Sequence, residues 1–257
     1  MTTLKPITDY PITEYLFFLS LYPKPPSLKS YKHLFFDLDN TLWDFRANAR
    51  EAFFGVFTDL NLFAHIPDFE LFLATYEKNN EHLWLEYRKG KIKKDTLRSE
   101  RFVLTFREMG MDDPALIARA SDLYIQSAPK KTILFNGVHE TLQYLKEKYR
   151  LYILTNGFSE IQIQKINLSG LQPYFSKLFM AEMVGFQKPD RRFFEYAIKS
   201  VHAHKEESLM IGDDPEADIL GAAYAHIDQV FFNPDQKQCA IVPTYEIRSV
   251  RDLIEIL

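Results

Sequence analysis

Two carboxylates spaced two residues apart are the first sign of chemistry in this chain. The apolar run Leu34-Phe35-Phe36 ends in Asp37, and Asp39 and Thr41 follow at alternate positions. A run of that length reads as a buried strand, so the acids fall at the rim of a sheet. Acids this close repel each other unless a cation or a shared proton relieves them. The pair therefore suggests metal-assisted chemistry on an anionic substrate. Taken alone, the stretch admits a plainer reading, because Asp and Asn also end strands through local side-chain-to-backbone turns.

Three later segments carry similar residues. Thr155-Asn156-Gly157 follows the apolar Tyr152–Leu154, Lys188 lies between Gly185 and Pro189, and Gly212-Asp213-Asp214 leads on to Asp218. Each has an ordinary alternative. Asn156-Gly157 is also a hairpin-turn pair, Lys188 could be a solvated lysine, and acids are favoured at a helix start by its dipole. Jointly they describe one site. Ligands of an open α/β sheet gather outside the carboxyl ends of its strands, where all four segments fall. A carboxylate pair, a hydroxyl, a lysine and a second acidic cluster suit phosphoryl transfer. Mg²⁺ takes a few carboxylates plus phosphate and water, and masks charge on nucleophile and phosphate together. Lysine and hydroxyl complete the electrostatic cradle, and a carboxylate nucleophile splits hydrolysis into two easier steps.

The positioning elements follow an α/β rhythm. Strands are expected over 32–37, 152–155, 177–181, 208–211 and 229–232, with helices over 137–148, 159–168, 191–202, 215–225 and 250–257. Ser159-x-x-Gln162 reads as a capping box opening the second of these helices. This alternation implies a parallel sheet covered on both faces with right-handed crossovers. One long interruption, 48–128, is helical throughout, with helices expected over 48–60, 69–87, 94–108 and 114–126. The expected organisation is an α/β core formed by 31–47 and 129–257, a helical insertion over 48–128, and an N-terminal extension over 1–30.

Composition narrows the classes. With 257 residues the chain can bury a full core, and its net charge of −4 lacks the basic footprint of a nucleic-acid binder. One cysteine, Cys239, excludes an intramolecular disulfide and fits a reducing, cytoplasmic setting. No stretch is long enough to span a bilayer. The apolar patch Tyr15–Tyr22 is short, lacks a basic lead-in and follows Asp9 and Glu14, so it does not read as a secretory signal. The partner expected is a small phosphate ester, with no nucleic-acid polymer and no membrane.

Read together, Asp37-Leu-Asp39-Asn-Thr41, Thr155-Asn156, Lys188-Pro189 and Gly212-Asp213-Asp214-x-x-x-Asp218 resemble the motifs of the haloacid dehalogenase (HAD) superfamily, in that order. The resemblance runs from about Tyr31 to the end. It implies a Rossmann-like, doubly wound parallel core with a four-helix cap inserted after the first strand. By matching positions it implies Asp37 as the nucleophile forming an aspartyl-phosphate and Asp39 as the general acid/base. Thr155, Asn156 and Lys188 would bind phosphate. Asp37, the Asp39 carbonyl and Asp213 would hold Mg²⁺, with Asp218 one step behind. Asp214 departs from the family pattern, where Ser, Thr or Gly is common. Asp39 favours phosphate chemistry, since the haloalkanoate dehalogenases need no acid there.

Finer matches are Leu83-Trp-Leu-Glu-Tyr87-Arg-Lys-Gly90, Leu154-Thr-Asn-Gly-Phe-Ser159, Glu182-Met-Val-Gly185 and Thr41-Leu-Trp43-Asp-Phe45. These resemble the YjjG-type branch of nucleoside 5′-monophosphatases, which implies pyrimidine or noncanonical deoxynucleotide substrates. A sugar-phosphate phosphatase or phosphomutase of the same superfamily is the alternative, and a non-catalytic binding protein on this fold the remote one. Trp43, Phe45 and Tyr87 are the residues expected to stack on a base. Aromatics at helical spacing also fill cores.

Overall fold

The structure, a computed structural model, describes residues 30–257. The proposed N-terminal extension lies, but for Ser30, outside the described residues. Six strands form one sheet: β1 (His33–Phe36), β2 (Arg150–Thr155), β3 (Lys177–Met180), β4 (Ser208–Gly212), β5 (Asp228–Phe232) and β6 (Tyr245–Ile247). Their order is β3-β2-β1-β4-β5-β6, and every pair is parallel. The expected doubly wound α/β core is therefore present. β6, only three residues long at the sheet edge, was not foreseen, because so short a strand carries no readable alternation.

Side chains alternate across β1 as a pleated strand requires. Leu34 and Phe36 face one layer, with Leu142 and Leu145 of α5 (Val138–Lys146) and Leu253 of α10 (Leu253–Ile256). Phe35 faces the other, with Phe193, Phe194 and Ala197 of α8 (Arg191–Ser200) and Ala222 of α9 (Gly221–Tyr224). With both faces covered, β1 is apolar from Leu34 to Phe36, and the first polar residue after it falls at the sheet's end. Between β4 and α9 the chain makes a π-helical segment, Pro215–Leu220, where a plain helix was expected.

After β1 the chain enters four helices: α1 (Phe45–Asp59), α2 (Phe69–Arg88), α3 (Lys94–Glu108) and α4 (Pro114–Ser127). α1 starts three residues earlier than expected, because the Asp44 carboxylate accepts from Ala47 N at 2.9 Å and caps it there. These helices bury a core of their own. Phe53 stands at its centre, stacked on Tyr124 at 4.1 Å and edge-on to Phe72 and Tyr76.

The segments that enter and leave the helices run side by side. Asp44 N donates to Ile133 O at 3.1 Å, and Phe135 N to Leu42 O at 3.0 Å. Asn48, fully buried, ties them further. Its Oδ1 accepts from Ile133 N at 2.9 Å while its Nδ2 donates to the carbonyls of Ile133 and Asp44. No helix of the described residues is long and apolar enough to cross a membrane.

Candidate active site

β1 and β4 lie side by side at the centre of the sheet, and their carboxyl ends deliver Asp37 and Asp213. The Asp37 N–H extends the ladder to Ile211 O at 2.9 Å, so the residue is fixed by the sheet itself. The chain then turns sharply. The Leu38 carbonyl accepts from Leu42 N and Trp43 N at 3.0 and 2.9 Å, with Asn40 at φ 60. Asn tolerates that left-handed conformation better than most residues. The turn brings Asp39 to the mouth of a cavity of about 860 Å³ between the sheet edge and the four helices, which Asp37, Asp213 and Asp218 also line.

Lys188 gathers the acids. Its ammonium, only 2% exposed, donates to Asp37 Oδ1 at 2.5 Å, Asp218 Oδ1 at 2.6 Å and Leu154 O at 2.8 Å. All three donors of the ammonium are thereby used. Burial works against its charge, but Asp218 and Asp37 more than offset this and raise its pKa. Burial raises the Asp37 carboxyl well above the usual carboxylate range, with Lys188 pulling it back. Asp213 is pushed by burial up to about 7, with Lys237 opposing. Lys237 holds Asp213 Oδ2 at 2.9 Å, and Thr41 Oγ1 lies 3.5 Å from Oδ1.

Oxygens of Asp37, Asp213 and Asp218 lie within 4.8 Å of one another, and all three residues are buried. Three buried hard-oxygen donors, each raised in pKa by burial, fit a divalent cation of the Mg²⁺ type. Gly212 makes the crowding tolerable, since a Cβ there would stand 2.3 Å from Asp218 Oδ2. Asp218 also accepts from Asp214 N at 3.0 Å.

The β2 end contributes Thr155, 1% exposed, whose hydroxyl accepts from Gly157 N at 3.0 Å and Gln162 Nε2 at 2.8 Å. Asn156 sits beside it, and its side-chain amide bonds the Lys188 backbone on both ends. Nδ2 donates to Lys188 O and Oδ1 accepts from Lys188 N, both at 2.8 Å. Asn156 thus clamps the loop that carries Lys188 and keeps one Nδ2 hydrogen free.

The sequence reading missed two residues here. Gln162 and Lys165 stand on α6 (Ser159–Leu168), and both reach Asp39: Gln162 Nε2 at 2.7 Å from Oδ2, Lys165 Nζ at 2.5 Å from Oδ1. The expected capping box therefore does not form. Gln162 spends its amide on Asp39 and Thr155, the N-cap is Phe158, and the Ser159 N–H is taken by the Glu182 carboxylate at 2.9 Å. No cap motif could have revealed this. The only sequence signal was a glutamine and a lysine three residues apart, on one helical face.

The three aromatic candidates separate. Trp43 is 1% exposed, its indole N–H bonded to Lys131 O at 3.1 Å and its ring under the Lys165 ammonium at 3.9 Å. It has no free face for a base. Phe45 is half-buried and lines the cavity. Tyr87 turns away into a neighbouring cleft beside Phe186 and Pro189, and Trp84 takes the cavity wall instead, 5.3 Å from the Phe158 ring. Residues 84 and 87 lie one helical turn apart, so only the contacts of α2 decide which reaches the cavity.

A family model for haloacid dehalogenase-like hydrolases matches residues 31–226. The pyrimidine 5′-nucleotidase PynA of Streptococcus pneumoniae is 35% identical over 232 residues, covering 88% of this chain and 95% of that protein. The pyrimidine 5′-nucleotidase YjjG of Escherichia coli is 28% identical over 230 residues, covering 87% and 96%. Among solved structures, magnesium-bound YfnB of Bacillus subtilis, described as revealing interdomain movement, superposes with a TM-score of 0.80 at 35% identity, covering 89% of this chain and 99% of that one.

Proposed function

Because the chain belongs to the haloacid dehalogenase-like hydrolases, we propose that it is a Mg²⁺-dependent phosphatase that removes the 5′-phosphate of pyrimidine nucleoside monophosphates. The observation that carries the reading is the placement of two aspartates on one turn. Asp37 is bonded to Lys188 at 2.5 Å, and Asp39 opens into the same cavity with different partners. Two carboxylates in unlike environments can divide nucleophile and proton carrier between them.

In this mechanism an Asp37 oxygen attacks the phosphorus, and the bond from phosphorus to the leaving oxygen breaks. Asp39, protonated, gives its proton to that oxygen, and the nucleoside departs. Asp39, now a carboxylate, takes a proton from water as the water attacks the aspartyl-phosphate. Phosphate leaves and Asp37 is regenerated. Lys188, turning one donor from a carboxylate to the substrate, and the Thr155 hydroxyl bind the phosphate oxygens. Asp37, Asp213 and the Asp39 carbonyl would hold Mg²⁺, with Asp218 supporting from behind. The metal's contribution is to mask negative charge on carboxylate and phosphate as they approach. The four helices, inserted over 48–128, serve as a cap that excludes bulk water and meets the leaving group.

A Mg²⁺-supplemented screen of pyrimidine and purine monophosphates, their deoxy forms and sugar phosphates tests the proposal. The expected result is free phosphate, released fastest from pyrimidine nucleotides. Faster release from sugar phosphates, or an isomerised ester in place of free phosphate, would overturn it. The pyrimidine preference rests on the similarity to PynA and YjjG.

A further inference from the structure

Eight lysine and arginine side chains line the cavity, and seven of them stand in ion pairs. The eighth, Arg101 of α3, has no carboxylate partner among the described residues. Its Nη1 donates to Asn80 Oδ1 at 3.0 Å, and its Nε is buried with no hydrogen-bond partner. The Phe102 and Tyr76 rings lie 5.1 and 5.9 Å from the guanidinium. A half-buried guanidinium with donors left over is costly unless something else accepts from it.

The groups around Arg101 fix the character of that acceptor. Asn80, 7% exposed, gives its oxygen to Arg101, so its amide nitrogen is left to donate. Tyr124 also lines the cavity, and burial raises its pKa well above the ordinary value, so the hydroxyl keeps its proton. This corner thus offers donors. Seven acidic and eight basic side chains line the cavity, and the bases other than Arg101 are held in ion pairs. What this corner lacks is a hydrogen-bond acceptor, which a neutral, acceptor-rich group supplies without breaking an ion pair. Trp84 and Phe158 supply an aromatic wall in the same cavity.

We infer that Arg101 and Asn80 form the leaving-group subsite and donate hydrogen bonds to the 2-oxo oxygen of a pyrimidine base. This rests on the nucleotidase reading above and adds the residues that select the base. Every pyrimidine nucleotide carries an exocyclic oxygen at that position. A carbonyl oxygen there has two lone pairs and can accept from both residues, whereas a purine presents a ring nitrogen with one lone pair, which leaves one of the two donors unpaired, and guanine sets an amino donor beside it. A site built to donate to a carbonyl discriminates strongly, because a wrong ligand leaves its donors unpaired.

The test compares kcat/KM for uridine, cytidine and adenosine 5′-monophosphates with that for p-nitrophenyl phosphate, in the full chain with Mg²⁺. Arg101→Gln removes the charge and the fork. Asn80→Asp gives the guanidinium a carboxylate in place and ties it down. Melting curves establish that each variant is folded. In both, the ratio of pyrimidine nucleotide to aryl phosphate should fall about 10- to 100-fold, as for a lost hydrogen bond to a charged donor. The adenosine ratio should move by less than about 3-fold. Equal falls for uridine and adenosine substrates, or an unmoved ratio in both folded variants, would overturn the inference. A wild type that cleaves aryl phosphate but no pyrimidine nucleotide would overturn the nucleotidase reading and the subsite with it. A pyrimidine preference that survives both substitutions would overturn the subsite alone.

Discussion

Lys165 meets Asp39 at 2.5 Å from beneath, with its ammonium resting on the Trp43 ring and only 5% of the residue exposed. The carboxylate that must move a proton is thus held on one oxygen by Lys165 and on the other by Gln162, which also holds Thr155. In the proposed mechanism Lys165 positions the proton carrier. Lys165→Met keeps the stem but removes the charge, and should lower kcat about 10- to 100-fold, part of what a well-placed acid/base contributes. KM should change little, and Lys165→Arg should recover part of the loss. An equal change in kcat and KM, with no recovery by arginine, would show that Lys165 merely packs.

Asp37→Asn preserves shape and can still accept from Lys188, so the fold should survive while turnover vanishes. Asp39→Asn should slow both formation and breakdown of the aspartyl-phosphate, by about 10²- to 10⁴-fold. Rapid-quench detection of phosphoprotein that is acid-stable and base-labile, with purified variants free of host phosphatase, distinguishes the two. Activity in Asp37→Asn would remove the nucleophile assigned here.

Metal binding should depend on pH through Asp213. Its folded, metal-free pKa of about 7 stands above the ordinary 3.8, so between these values the folded protein holds a proton that the unfolded chain does not. That raised pKa makes the metal-free protein lose stability as pH rises through the interval. Mg²⁺ must displace the same proton, so its affinity should climb with pH and level off above about 7. Calorimetric titration on either side of that value checks the slope. Affinity that is flat across it would remove Asp213 from the metal site.

Asp214, the departure from the family pattern, has two tasks. Oδ1 caps the Pro215–Leu220 segment, accepting from Glu216 N and Ala217 N at 2.9 Å, and Oδ2 meets Arg88 of α2 at 3.1 Å. The second contact joins the sheet edge to the helices across the cavity. Asp214→Asn retains the cap, since Asn serves well at that position, but loses the charge pair. An ion pair this close to the surface contributes about 0.2–1 kcal/mol, so KM should rise only about 2- to 5-fold. A melting temperature that falls while KM stays put would assign Asp214 to the cap alone.

Much of the site was legible because it sits where strands end. Asp37, Thr155 and Asp213 each follow an apolar run, and such runs announce a buried strand. Lys188 was legible through its flanking Gly185 and Pro189 and its place in the motif order. Gln162 and Lys165 were not, because their partner Asp39 lies 123 and 126 residues away and nothing local marks them. Lys237 stands in a loop without pattern, its backbone held by Asn233 and its ammonium by Asp213. Trp43 misled because an aromatic near a catalytic turn looks like a stacking platform. Its role as a floor for an ammonium depends on a helix from elsewhere in the chain.

The paired segments around Asn48 have a mechanical consequence. Two tethers bonded to each other at Asp44–Ile133 and Leu42–Phe135 cannot twist independently, so they join the four helices to the sheet as one ribbon. Trp43 lies in that ribbon, bridged to Leu134, and its indole carries the Lys165 ammonium. Any movement of the four helices against the sheet would therefore shift the floor under Lys165, which ties the width of the cavity to the ion pair at Asp39.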